Sequence, residues 1–215
     1  AAKRVLDHPV NIHGAGRTDA GVHAKGQTAN FHTTNLAIPL QGMRRAVNSK
    51  LPPDIAVLSA EEVAEDFHAS LSAIGKTYRY RIAVSPVREV MRTAQVYHYW
   101  RPLDVDAMRS AGKRLIGTHD FRGMTISAEQ RENTVRTVRR FEVSEHGREV
   151  HINVQGDGFL YNMVRIIAGT LIEIGRGHWT TNRVDQILAT RNRRNAGPTA
   201  PPEGLTMVCV HYPPA

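Results

Sequence analysis

Residues 135–155 read VRTVRRFEVSEHGREVHINVQ, and this stretch decides the fold class. Two runs typical of β-strands, Val135–Val143 and Glu149–Gln155, lie on either side of His146-Gly147, a dipeptide that favours a turn. The stretch therefore predicts an antiparallel hairpin, and a sheet that grows from it by pairing neighbouring strands.

The segments around the hairpin predict more strands than helices. Lys76–Val84 (KTYRYRIAV) alternates, with Tyr78 and Tyr80 on one face and Arg79 and Arg81 on the other. Further strands are predicted at Val10–His13, Gln27–His32, Ile55–Ser59, Thr93–Trp100 and Leu205–Tyr212. Helices are predicted at Pro39–Val47, Asp104–Gly117, Phe159–Gly175 and Asn182–Ala189. This mixture predicts an α+β fold with mainly antiparallel sheets.

The composition excludes several classes of protein. Cys209 is the single cysteine of the 215 residues, so a disulfide-bonded secreted scaffold is excluded and a cytoplasmic location fits. Neither a CxxC pair nor an HxH or HExxH spacing occurs, and we therefore expect no metal site. No apolar run reaches the roughly 18 residues of a membrane span, and a hydrophobic content of 41% predicts a soluble, folded chain of one or two domains.

The positive charge lies in the C-terminal two-thirds of the chain. The net charge is +8, residues 1–72 carry seven basic and seven acidic side chains, and only five of the 28 basic residues are lysines. Arginine suits bidentate contacts with phosphate and stacking on bases, so nucleic acid is the favoured partner. Arginine codons favoured by a GC-rich genome explain the composition equally well.

The glycine-rich loop Gly14–Ala24 (GAGRTDAGVHA) carries the candidate chemistry. It fails as a dinucleotide-binding GxGxxG loop, because Asp19 occupies the third glycine position. It also fails as a P-loop, because Val22-His23 stands where Lys-Ser/Thr is required. The loop instead presents an acid, Asp19, two residues from Arg17 on a basic chain.

This loop resembles the signature of the TruA-type tRNA pseudouridine synthases, G-R-T-D-[AS]-G-V-H-A. The likeness continues in order through NSKLPPD, DFHA, KTYRY, RTV, FLYNMVRIIAG and APPEGLTMVCV, and so covers most of the chain. Members of that family normally begin with a further strand and helix. Since Ala1–Leu6 (AAKRVL) reads as the last turns of a helix, we expect the N-terminal strand to be missing here.

The resemblance implies an enzyme that isomerises uridine to pseudouridine at positions 38 to 40 of the tRNA anticodon stem-loop, without metal or cofactor. It also implies a homodimer that binds tRNA, and two ferredoxin- or RRM-like halves that form a central cleft. We place these halves at residues 1–75 and 76–215. Two rival functions are a catalytically silent RNA-binding module or tRNA chaperone of the same fold, and a pseudouridine synthase acting on another RNA.

The resemblance also implies roles for five residues. Asp19 is the catalytic carboxylate, acting as nucleophile or as base, Arg165 pairs with it, and Tyr78 stacks on the target base and assists removal of the C5 proton. Arg17 helps to extrude the uridine, and His23 is a substrate-binding candidate.

Four of these five residues have a structural alternative. Asp19 fits an Asx turn, Arg165 a surface arginine lying over the sheet, and Tyr78 a core tyrosine. His23 fits a hydrogen bond to the turn backbone. The arginines within 131–140 and 191–194 are candidate phosphate contacts, although solvated charge explains any single one nearly as well.

Overall fold

A computed structural model of the chain describes residues 1–35, 37–130 and 132–214. By their contacts these residues form two compact units, the first of residues 1–16 and 28–73 and the second of residues 17–27 and 74–215. Most of the glycine-rich loop thus belongs to the second unit. The division into halves at residue 75 stays a prediction, and Arg131 lies outside the described residues.

The elements are numbered in chain order. The helices are α1 (Ala2–Leu6), α2 (Leu40–Asn48), α3 (Val105–Lys113), α4 (Met163–Gly175) and α5 (Arg183–Thr190). The strands are β1 (His13–Gly14), β2 (His23–Ala24), β3 (Ala29–Asn30), β4 (Gly75–Val84), β5 (Tyr97–Tyr99), β6 (Gly117–Asp120), β7 (Val135–His146), β8 (Glu149–Gly156) and β9 (Leu205–His211). The α+β prediction is confirmed.

The first unit contains α1, α2 and the short antiparallel pair β1–β3. The helical conformation predicted for Ala1–Leu6 is found in α1. The strand predicted at Ile55–Ser59 is wrong. The Val57 N–H donates to Asn48 Oδ1 at 2.7 Å and the Val57 carbonyl accepts from Asn48 Nδ2 at 2.9 Å, so a side-chain amide satisfies the backbone that a neighbouring strand would have paired.

The second unit is built on a seven-stranded sheet. Its strand order is β2-β9-β4-β8-β7-β6, and β5 pairs with β4 beside this path. The β2–β9 and β4–β5 pairs are parallel and the other pairs are antiparallel. The β7–β8 hairpin is confirmed, with His146 opposite Glu149 and Gly147 at φ 62°, a left-handed conformation that glycine adopts readily.

One face of this sheet carries the hydrophobic core. Val150, Ile152 and Val154 alternate with more exposed residues along β8 and belong to a buried cluster that also contains side chains of α3 and α4. Tyr80, on β4, is fully buried in this core, and its hydroxyl donates to the Pro201 carbonyl at 2.8 Å. The helices α3 and α4 also contact each other.

Two of the predicted helix boundaries are wrong. Asp104 caps the start of α3, since its Oδ1 accepts from the Ala107 N–H at 2.8 Å, but the helix ends at Lys113 rather than near Gly117, which begins β6. The helix predicted from Phe159 begins at Met163, because Asn162 has left-handed backbone angles of φ 60° and ψ 4°. Arg165 therefore lies in the first turn of α4 rather than in its middle.

A close backbone contact holds the segment 196–201 against α4. A Cβ atom added at Gly169 would lie 1.9 Å from the Pro198 carbonyl oxygen. Nearby, the Gly197 N–H donates to the Thr170 hydroxyl at 3.0 Å, and this hydroxyl donates to the Ile166 carbonyl. The missing side chain at Gly169 therefore allows an approach that no other residue permits.

None of the helices within the described ranges has the length and apolarity needed to cross a membrane.

We predict that Gly169→Ala lowers the free energy of unfolding by about 2 kcal/mol or more, because the methyl group cannot fit without moving backbone. Urea denaturation of the wild type and the variant measures the difference. Gly158→Ala is the matched control, since a Cβ atom there meets only the Arg136 side chain at 3.6 Å. Equal stability of the two variants would contradict the close contact.

Candidate active site

Backbone bonds to β9 hold the loop that carries Asp19. His23 and Ala24 form the parallel β2–β9 pair, and the Lys25 N–H donates to the Met207 carbonyl at 2.8 Å. Directly before β2, the Val22 N–H donates to the Asp19 carbonyl at 3.0 Å and closes a turn in which Gly21 has φ 81°. Asp19 is thus presented from a turn whose following residues are fixed to the sheet.

Arg165 is the third residue of α4, where the helix dipole disfavours a cation. Three acceptors offset this cost. Its Nε donates to the Ala200 carbonyl at 2.7 Å, and its Nη1 donates to Asn162 Oδ1 at 2.9 Å and to Asp19 Oδ2 at 3.2 Å. Since only 15% of the Arg165 side chain is exposed, it is not a surface arginine lying over the sheet.

The structure brings Asp19 and Arg165 together as an ion pair, although 146 positions separate them. The Asp19 side chain remains 29% exposed. Its second oxygen, Oδ1, accepts no hydrogen bond from any residue that the structure describes. The pair therefore leaves one carboxylate oxygen open to a ligand while the other is held.

Tyr78 lies on β4 within the field of Asp19. Burial, and secondly the negative charge of Asp19, raise the pKa of Tyr78 from 10.0 to about 12. Its ring meets Phe159 edge to face, with 5.2 Å between the ring centroids. Tyr78 is only partly buried. It combines the environment of a core tyrosine with electrostatic contact to the candidate catalytic acid.

The structure places the two other candidate residues in the same loop but gives them different contacts. Arg17 is exposed, and no hydrogen bond or ion pair to its side chain is found among the described residues. His23 Nε2 lies 2.5 Å from the Ala94 carbonyl oxygen, so its ring bonds to backbone outside the turn. The roles of Arg17 and His23 toward a substrate stay predictions.

Sequence reasoning missed three groups that contact Arg165 or Tyr78. These are Asn162, whose side chain accepts from Arg165, the Ala200 carbonyl, and Phe159, which contacts Tyr78. The spacing of Asn162 three residues before an arginine was the available signal for the first contact. The Ala200 carbonyl carries no sequence signal, because any residue supplies one.

The candidate phosphate contacts differ in how free their side chains are. Arg194 is exposed, Arg140 pairs with Glu142 at 3.3 Å, and Arg191 Nε lies 3.3 Å from Asp120 Oδ2. Arg193 donates to the Ala196 carbonyl and to the Thr199 hydroxyl. Among these arginines, Arg194 is therefore the best placed to reach a ligand. The described part of the chain contains no cluster of three His, Cys, Asp or Glu side chains suited to a metal ion.

We predict that Asp19→Asn lowers the pKa of Tyr78 below its value of about 12 but not to 10.0, because the charge is removed while burial remains. Ultraviolet titration of tyrosinate absorbance measures the shift, and Tyr78→Phe identifies the signal. Folding raises the pKa of Tyr78, so the folded protein binds this proton more tightly than the unfolded chain does. The contribution of the protonated Tyr78 to the free energy of unfolding is therefore present below pH 10.0 and is lost as pH rises toward about 12. An unchanged midpoint in Asp19→Asn would contradict the electrostatic contact.

Comparison with known proteins identifies the family of the chain. The sequence model of the tRNA pseudouridine synthase family matches residues 1–71 and 111–213. The chain is 46% identical over 196 residues to tRNA pseudouridine synthase A of Halalkalibacterium halodurans, an alignment that covers 91% of this chain and 74% of that protein.

Two further relatives align over almost the whole chain. The enzyme of the same name from Brevibacillus brevis is 44% identical over 212 residues, which cover 99% of this chain and 86% of that protein. The tRNA pseudouridine synthase A of Acinetobacter baumannii is 40% identical over 210 residues, which cover 98% of this chain and 79% of that protein. With a family match over most of its length and relatives this similar, the chain belongs to the tRNA pseudouridine synthase family.

Proposed function

We propose that the protein isomerises uridine to pseudouridine at positions 38 to 40 of the tRNA anticodon stem-loop, with Asp19 as the carboxylate that acts on the sugar. Its membership of the tRNA pseudouridine synthase family supports uridine isomerisation in tRNA. The observation that supports Asp19 is its ion pair with Arg165, which holds Oδ2 and leaves Oδ1 open.

The reaction rearranges one nucleoside and needs no second substrate. The C1′–N1 bond breaks, the uracil turns, a C1′–C5 bond forms, C5 loses its proton and N1 gains one. A carboxylate promotes the first step either by attack on C1′ or by removal of a sugar proton. Deuterium on the sugar carbon that would lose its proton separates the routes, since it slows only the second.

Tyr78 is proposed to stack on the target uracil and to assist loss of the C5 proton. With a pKa of about 12, its phenol is protonated at neutral pH in the free protein. If Asp19 bonds to the sugar it loses its charge, and one of the two causes of the raised pKa disappears. The phenol then loses its own proton more readily, so the phenolate that accepts the C5 proton is more accessible late in the reaction, when that proton must leave.

Arg17 and His23 are proposed to contact the substrate. The active site cannot reach both C1′ and C5 of a uridine that is stacked and paired, so the nucleotide must leave its stem. An exposed arginine two residues from Asp19 can occupy the vacated space and bind the backbone phosphate. His23 is less available, since Ala94 already engages its ring.

The assembly and the location of the enzyme are part of the same proposal. We propose a homodimer in which one tRNA contacts both subunits, with halves at residues 1–75 and 76–215 in each chain. A cytoplasmic location fits the tRNA substrate and the single cysteine.

We predict that the wild type releases tritium from uridine labelled at C5 in tRNA, and that Asp19→Ala lowers the rate more than about a thousandfold while tRNA binding persists. Asp106→Asn is the control, since this carboxylate is exposed on α3. No tritium release by the wild type would favour the silent RNA-binding module, and equal release by the wild type and Asp19→Ala would contradict the role of Asp19. Transcripts with single replacements of uridines 38, 39 or 40 test the position, and activity that survives all replacements points to another site or RNA.

We predict that tRNA affinity falls steeply with salt, because phosphate contacts release counterions. Replacing one contact, as in Arg194→Gln, should reduce the slope of log affinity against log salt by about one. Filter binding over a range of salt concentrations measures the slope, with Lys113→Gln, an exposed change on α3, as the control. A slope near zero for the wild type would contradict the phosphate-contact role of the basic clusters.

A further inference from the structure

Asn162 has an unusual backbone directly before α4. Its φ of 60° and ψ of 4° place it in the left-handed region, where most residues with a side chain are disfavoured and asparagine is comparatively well tolerated. This conformation ends the loop 157–162 and turns the chain into the helix. In this position the Asn162 side chain makes no capping hydrogen bond to the backbone of α4, so it is available for another partner.

That partner is the guanidinium of Arg165. Asn162 Oδ1 accepts from Arg165 Nη1 at 2.9 Å, and the same nitrogen donates to Asp19 Oδ2 at 3.2 Å. An Nη nitrogen carries two hydrogens. One is therefore directed to Asn162 and the other to Asp19, while Nε is bound to the Ala200 carbonyl. Three fixed directions determine both the position and the plane of the guanidinium.

The second acceptor of Arg165 Nη1, the amide oxygen of Asn162, carries no formal charge. An amide oxygen holds a hydrogen without carrying a formal charge, so it does not divide the positive charge of Arg165 between two anions. A carboxylate at the same position would compete with Asp19 for the guanidinium, because an anionic acceptor attracts the cation more strongly than a neutral amide oxygen. Asparagine thus supplies a tolerated left-handed backbone and a neutral acceptor together.

We propose that Asn162 is a positioning residue that sets the reactivity of Asp19 by holding Arg165 Nη1 between them. The inference rests on the proposed function of Asp19. It assigns Asn162 no contact with substrate, so its effect falls on the rate of the chemical step rather than on tRNA binding.

Asn162→Gly removes the acceptor and keeps the left-handed backbone. We expect kcat for tritium release to fall about tenfold and KM for tRNA to stay within about twofold, since one charge-assisted bond is lost. The control is Asn182→Gly, an exposed residue before α5 whose side chain caps nothing, and it should retain wild-type kcat. A wild-type kcat in Asn162→Gly overturns the proposal.

A double-mutant cycle separates positioning from a merely structural role. Arg165→Lys cannot bond Asp19, Asn162 and Ala200 in the same geometry, so adding Asn162→Gly to it should cost little further activity. A structural role for Asn162 predicts instead that the tenfold loss recurs in the Arg165→Lys background. Additive losses therefore overturn the proposal.

Asn162→Asp covers the case in which the glycine variant fails to fold. It keeps the shape, the tolerated backbone and an acceptor, and it adds the competing charge, so we expect kcat to fall while the melting temperature stays near that of the wild type. Wild-type kcat in this variant overturns the proposal. If the wild type itself is inactive on tRNA, the proposed function fails as well. An active wild type with unaffected Asn162 variants removes this inference alone.

Discussion

The ion pair between Asp19 and Arg165 is the interaction around which the candidate site is arranged. It joins a turn fixed to the edge strand pair β2–β9 with the first turn of α4. A cation at a helix N-terminus is electrostatically unfavourable, and here three acceptors compensate for it. The position is therefore better explained by the aspartate it meets than by the stability of the helix.

Close packing of the backbone of residues 198–200 against α4 helps to fix the position of Arg165 in this ion pair. Gly169 lets the Pro198 carbonyl approach the helix, and the segment that follows brings the Ala200 carbonyl to Arg165 Nε. The Ala200 N–H in turn donates to the Arg165 carbonyl at 3.1 Å. The buried Gly169 and the Arg165 side chain thus contact the same short backbone segment, from Pro198 to Ala200.

The sequence predicted elements best where its pattern and its tertiary environment agree. The β7–β8 hairpin, with buried residues alternating along β8, is an example. The predictions failed where a single contact or dihedral angle overrode the pattern. Val57 bonds to the Asn48 amide instead of a strand, and the left-handed backbone of Asn162 delays α4 by four residues although the apolar residues begin earlier.

The sequence by itself determined the α+β class and, through the loop that contains Arg17 and Asp19, the family. These follow from local periodicity and from residue types at fixed spacings, which a chain carries before it folds. Only the tertiary structure decided that Arg165 meets Asp19 and shares one nitrogen with Asn162, and that Tyr78 lies in the field of the carboxylate. Such contacts join residues far apart along the chain, and their distances and burial arise from packing rather than from spacing.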